Sequence, residues 1–266
     1  RNELFIVVAL GWVFSSFLQG VAGFGAPIPI VAPLLVAYGV KPVYAVAMPI
    51  VAHIWAKMFG TLAAGWLATI QVVDLEGPTA TALQAALLLL IPTILGGFTV
   101  VWWYGRGAAI RHAWPLVLII AGIQGGVQLA MMLVDPVLSA FMGATLALVA
   151  LYPLSRWKRY QEPAEGITER PAMRDSEAHE LEEREAPMGL GLSFLPYLIL
   201  IVVAIGTLTI PPLEAALATI SVGMSFPAVE TGYGVMNEAA EPYSPFAPLT
   251  HPGTFLLITS AITWAV

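Results

Sequence analysis

His53 and Lys57 stand four residues apart in an otherwise apolar stretch, VAHIWAKMFG. Residues spaced i and i+4 share one face of a helix, so an imidazole and an ammonium would meet there. An ionised side chain at mid-bilayer costs at least about 2.5 kcal/mol, so such a residue normally faces the bundle interior and has a partner or a task. A cation beside an imidazole suits a small carboxylate, and histidine is the side chain that titrates near neutral pH. The plainer alternative has Lys57 snorkelling to an interface while His53 bonds a backbone carbonyl.

A second group precedes them. In FLQGVAGFGAPIP the glycines Gly20, Gly23 and Gly25 are followed at once by Pro27 and Pro29. Each glycine costs a helix about 1 kcal/mol against alanine, and proline removes a backbone donor. Broken backbone survives in hydrocarbon only inside protein or beside a water-filled cavity, and carriers commonly bind solutes at such segments. The expectation is a re-entrant or unwound loop in which Gly20, Gly23, Phe24, Gly25, Ala26 and Pro27 face a bound anion. Gln19, at its start, offers an amide to a hydroxyl or carboxylate. Close helix packing is the competing reading of the glycines. Ser15 and Ser16 are read as bonding back to their own helix.

Further on, Glu230 and Asn237 sit among glycines and prolines in a segment that reads as loop, re-entrant element or gate, and they are candidate coupling or gating residues. His251, before Pro252-Gly253, reads as a helix-entry residue. No HExxH, GxSxG or GxxxxGK[ST] occurs, and the four histidines lie far apart in sequence. With no cysteine there is no disulfide, thiolate metal site or cysteine nucleophile. No catalytic residue, metal site or cofactor is expected.

The elements that must position these groups are membrane helices. The chain is 58% hydrophobic and 11% charged, with mean hydropathy +0.82, against about 25% charged in soluble domains. Six of its eleven Lys/Arg and nine of its seventeen Asp/Glu fall within residues 156–188. Apolar stretches long enough to cross a bilayer occupy residues 43–73, 79–104, 113–134, 137–154 and 189–210. Residues 4–40 fit one full helix plus a broken segment, and a last apolar run starts at Thr254. The expected fold is an all-α, polytopic membrane protein with about seven spans. It divides into a bundle over residues 1–155, a charged, largely disordered loop over 156–188, and a second membrane segment over 189–266. The basic turns at Lys41, Arg106/Arg111 and Arg156–Arg159 alternate with acidic ones at Asp74/Glu76 and Asp135. All three basic turns, and the 156–188 loop, are therefore expected on the cytoplasmic side. A net charge of −6 gives no reason to expect nucleic acid.

Residues 17–46, FLQGVAGFGAPIPIVAPLLVAYGVKPVYAV, resemble the lactate permease family of bacterial and archaeal membrane carriers. The similarity continues through HIWAKMFG (53–60) and TGYGVMNEAAEPYSPFAPLTHPGTFLL (231–257). Separated blocks in family order are far more specific than a lone glycine-rich loop. Members are considerably longer, and this chain opens on Arg1 and stops inside an apolar run, so it reads as an internal fragment. The resemblance implies a secondary transporter in a prokaryotic plasma membrane. It would move L-lactate, D-lactate or glycolate with a cation, usually a proton; the partners would be the organic anion and the lipid bilayer. Some members read FLEG where this chain has FLQG. Glutamine cannot take up a proton at physiological pH, so coupling would rest on His53, on Glu230 or on Na+ instead. Three other readings stay open: a carrier for another small organic anion, a membrane-embedded enzyme with His53 and Lys57 as acid/base groups, and a non-catalytic subunit whose glycines serve packing.

Overall fold

The computed structural model describes residues 2–21, 27–174, 195–196, 198–200, 202–203, 206–207, 210–230 and 232–265. They belong to two units, Arg1–Glu183 and Arg184–Val266.

Helix α1, Glu3–Val21, starts where Asn2 Oδ1 accepts the Phe5 N–H at 3.1 Å. Its middle, Ala9–Phe14, is π-helical, and the Ser15 hydroxyl donates to the Leu10 carbonyl at 3.1 Å. Nearly four-fifths of its apolar window is buried, more than in the other spanning helices. A helix apolar all round belongs inside a bundle. Its neighbours reach it across small residues. Trp12 lies over Gly97, where an added Cβ would stand 2.5 Å from the indole, and Gly11 lies against Met48.

Helices α2 (Pro27–Ala37) and α3 (Pro42–Ala52) pack on each other and on α1. Gly39, at φ 101°, turns the chain between them. The span expected over 43–73 is a bent pair of helices. α3 ends at Ala52, a 3₁₀ turn covers Ile54–Ala56, and α4 (Gly60–Val72) leaves at 47° to the first part. Helix α5, Pro78–Met131, departs from helical geometry at Gly105 and Arg106. Leu90 nevertheless lies against Gly125, although a straight helix would hold them about 50 Å apart at 1.5 Å per residue. The two halves therefore fold back alongside each other. Asp135 caps α6, Pro136–Ser155, by accepting the Val137 N–H at 2.8 Å. Among the described residues three helices (α1, α5, α6) are long and apolar enough to cross a membrane, and a fourth span exists if the bent pair counts as one. The span expected over 189–210 falls largely outside the described residues.

The three basic turns gather at one end of this unit. Lys41 N–H donates to Ala172 O at 2.8 Å, and Arg174 N–H to Gly39 O at 2.9 Å. Arg170 pairs with Glu3 at 3.0 Å, and the Tyr104 hydroxyl donates to the same carboxylate at 2.9 Å. The Glu3 carboxylate beside Arg170 raises that guanidinium further above its ordinary value. Composition suggests a disordered connector here, but residues 158–174 are laid along the helix ends. They include the short helix α7 (Lys158–Gln161) and the buried Tyr160, Ala172 and Met173. The start of the segment is held at a defect in α5. Pro115 has no N–H, so the Arg111 carbonyl lacks its helical donor. Arg159 supplies one, donating to Arg111 O and to His112 O at 2.8 Å each, while the Leu116 N–H donates to the Tyr160 hydroxyl at 3.2 Å. Burial pushes the Tyr160 phenol above its ordinary range, which keeps it neutral. The acidic turns lie at the far ends of the same helices.

The second unit corrects the all-α expectation. After α8 (Pro211–Ala218), strands β1 (Val222–Phe226) and β4 (Ala240–Phe246) pair antiparallel around a shorter pair, β2 (Val229–Glu230) and β3 (Met236–Asn237). Gly234, at φ 75°, serves the turn between β2 and β3. The glycines and prolines that read as a loop or gate thus punctuate a β-ribbon. A 3₁₀ turn, Pro248–Thr250, leads to α9, Pro252–Ala265. His251 is a helix-entry residue, its Nδ1 accepting the Gly253 N–H at 3.1 Å.

Candidate functional site

Gln19, His53 and Lys57 line one cavity in the first unit, about 450 Å³ in volume, together with Ile28, Ile50, Ile54, Gly60, Thr61, Ala64 and Gly65. Gln19 comes from the last turn of α1, and the other two come from the break between α3 and α4. His53 and Lys57 bracket the right-handed 3₁₀ turn Ile54–Ala56, so the i, i+4 pair sits at the end of α3, just before the chain bends into α4. His53 closes α3, its N–H shared between Pro49 O and Ile50 O at 3.1 and 3.3 Å. Beyond the 3₁₀ turn, Thr61, Leu62 and Ala63 adopt left-handed backbone at φ 54°, 50° and 57°. Each such residue costs about 1–2 kcal/mol, and a β-branched one is a true outlier. The turn is held by Ala63 N–H to Phe59 O at 3.1 Å and Trp66 N–H to Met58 O at 3.0 Å. A Cβ on Gly65 would stand 3.2 Å from that same Met58 carbonyl, a tight approach that glycine relieves.

Gln19 and His53 are 6% and 5% exposed, while Lys57 is exposed at the cavity's margin. Gln19 Oε1 and His53 Nε2 are buried without a hydrogen-bond partner. An unmet buried polar atom costs about 1–3 kcal/mol, so these two atoms are poised for an incoming group. The wall is otherwise isoleucine and small residues. An ammonium, an imidazole and a carboxamide around an apolar pocket can hold a small carboxylate, a hydroxyl beside it and a short aliphatic end.

Gly20 is buried in α1, and its Cα faces α6 so closely that a Cβ would meet Phe141 Cα at 3.1 Å; it is a packing glycine here, not part of an open loop. Pro27 is the buried first residue of α2, next to the cavity-lining Ile28. Gly23, Phe24, Gly25 and Ala26 lie outside the described residues. Glu230 and Asn237 belong to the second unit, on strands β2 and β3, with Glu230 exposed. Among the described residues no group of three or more metal-ligating side chains occurs.

Sequence reasoning missed two features. One is the left-handed turn, for which Thr61-Leu62-Ala63 carries no local signal; Gly60 and Gly65 at its ends were the only hint. The other is Gln124 and Gln128, one turn apart in the second half of α5. They are 0% and 1% exposed, and their amide atoms have no partner. Polar side chains inside a span were the available signal. A larger cleft of about 800 Å³ opens at the basic end. It holds none of the buried, unpartnered polar atoms, so the smaller cavity is the better solute site.

The sequence pattern that describes the L-lactate permease family matches residues 1–266. The chain is 31% identical to an L-lactate permease of Salmonella typhi over 168 residues, 59% of this chain and 28% of that protein. It is 29% identical to an L-lactate permease of Halalkalibacterium halodurans, over 59% of this chain and 31% of that protein. It is 32% identical to the glycolate permease GlcA of Escherichia coli K12, over 44% of this chain and 20% of that protein. The matched region thus spans less than a third of the length of these relatives. No solved structure matches.

Proposed function

This chain belongs to the L-lactate permease family, and we propose that it carries the solute-binding half-site of a secondary transporter for small 2-hydroxy monocarboxylates such as lactate and glycolate. The observation that carries the reading is the convergence of Gln19, His53 and Lys57 on one cavity with two unpartnered polar atoms. Lys57 neutralises the carboxylate. Gln19 and His53 exchange hydrogen bonds with the carboxylate and the hydroxyl, and the isoleucines take the methyl or methylene. The names of the relatives, L-lactate permease and glycolate permease, support that substrate class.

The broken span supplies the moving part. A break between α3 and α4 lets one side of the cavity rock against α1 while the solute stays near the bilayer middle, as in other carriers built on discontinuous helices. The coupling ion is H+ or Na+. With glutamine at position 19, His53 is the titratable group inside the cavity that would carry a proton. The chain sits in a prokaryotic plasma membrane with the basic end cytoplasmic, as the distribution of Lys and Arg favours, in a carrier with about seven spans over this region. The test is uptake of labelled L-lactate by proteoliposomes holding the intact protein, with an inward proton gradient, a sodium gradient or neither. Gradient-driven uptake that unlabelled glycolate suppresses is the expected result. Absence of uptake under all three conditions would overturn the substrate assignment.

A further inference from the structure

We propose that the cleft at the basic end binds the phosphodiester headgroup of an anionic phospholipid. The cleft, about 800 Å³, lies between the second half of α5 and the segment after α6. Its cations are Arg111, Lys158 and Arg159, beside His112. Two carboxylates, Glu162 and Glu165, also line it, which leaves an excess of positive charge with the imidazole neutral. Arg159 is held by its bonds to the Arg111 and His112 carbonyls, so its charge is fixed in place without being neutralised. Arg111 and Lys158 are exposed, and neither belongs to the one ion pair among the described residues, Glu3–Arg170.

What selects a lipid over a soluble anion is the surface below. Arg111, Trp114 and Leu118 are all exposed and follow one another at i, i+3 and i+7 on one helix face. At 1.5 Å per residue, Leu118 lies about 10 Å along the helix from Arg111. A cation, an aromatic ring and an aliphatic side chain thus descend in the order of a headgroup, an interface and an acyl chain. Two aromatic–cation pairs stand at helix ends near the basic turns: Arg106 sits over the Trp102 ring at 5.4 Å and Arg156 over Tyr152 at 4.3 Å. Basic pockets between membrane helices are where anionic headgroups dock. A free phosphate would use the cations and none of the stripe.

The experiment is native mass spectrometry of the intact protein in nanodiscs of phosphatidylglycerol and phosphatidylcholine, with a thermal-shift titration of phosphatidylglycerol in neutral detergent. The expected results are selective retention of phosphatidylglycerol and a rise in melting temperature with added lipid. Arg111→Gln/Lys158→Gln should weaken that binding by about tenfold or more, and Trp114→Ala should weaken it as well. Lys158→Gln alone leaves the Arg159 and Tyr160 bonds in place, so its weaker binding is a readout that a folding defect does not produce. Retention unchanged in both cation variants would overturn the proposal, as would inorganic phosphate at millimolar concentration displacing the lipid or matching its thermal shift.

Discussion

Gln19 and Gly60 lie in direct contact at the wall of the cavity: a Cβ on Gly60 would stand 2.9 Å from Gln19 Nε2 and 3.1 Å from Gln19 O. Gly60→Ala therefore displaces the carboxamide without touching His53 or Lys57. The expected outcome is a KM for lactate raised about tenfold, the scale on which misplacement of a positioned group is felt, in a protein that still folds. Uptake kinetics beside a thermal melt check it. An unchanged KM would remove Gln19 from the site.

The left-handed turn gives a prediction of opposite sign. Thr61 is a β-branched residue at φ 54°, and glycine adopts that backbone without steric cost. Thr61→Gly is expected to raise stability by about 1 kcal/mol, read as a higher melting temperature. A lower one would mean that the Thr61 side chain contributes more packing than its backbone strain costs.

How much of this was visible in the sequence follows from what each signal rests on. His53, Lys57 and Gln19 were legible because polar groups in a bilayer are expensive wherever they occur, and that rule needs no geometry. That Gln19 joins the other two was not legible, because it comes from a different helix and no local spacing reports a contact between helices. Gly20 misled because glycine serves an unwound loop and a close helix contact equally well; only Phe141 opposite it decides between them. Residues 158–174 were hidden because composition reports solvation, whereas their order comes from distant partners: Arg159 and Tyr160 serve the backbone around Pro115, and residues 170–174 meet Glu3, Gly39 and Lys41. The β-ribbon over 222–246 was masked by its glycines and prolines, which end strands as readily as they fill loops.

The repair of α5 can be tested directly. Tyr160→Phe removes the hydroxyl that accepts the Leu116 N–H and leaves a buried donor unmet. A loss of about 1–3 kcal/mol is expected, with the KM for lactate unchanged because Tyr160 does not line the solute cavity. A loss of solute affinity without a loss of stability would contradict this assignment.

The contact of α1 with α5 predicts an overpacking defect. In Gly97→Ala the new methyl would overlap the Trp12 indole, for a cost of about 1–3 kcal/mol. Trp12→Phe in the same chain should recover part of it, a coupling that a double-mutant cycle measures. Additive losses would mean that the two residues do not meet.

The central claim is that the Gln19, His53 and Lys57 cavity holds the carboxylate, and kcat/KM for labelled L-lactate in proteoliposomes tests it most directly, compared between the intact protein, Lys57→Gln and Lys57→Arg. Removing a cation that pairs with a desolvated carboxylate costs at least about 2 kcal/mol. Lys57→Gln should therefore lose well over tenfold in kcat/KM, and Lys57→Arg should recover part of that loss. Uptake by Lys57→Gln at the level of the unaltered protein would contradict the account and take the substrate out of this cavity.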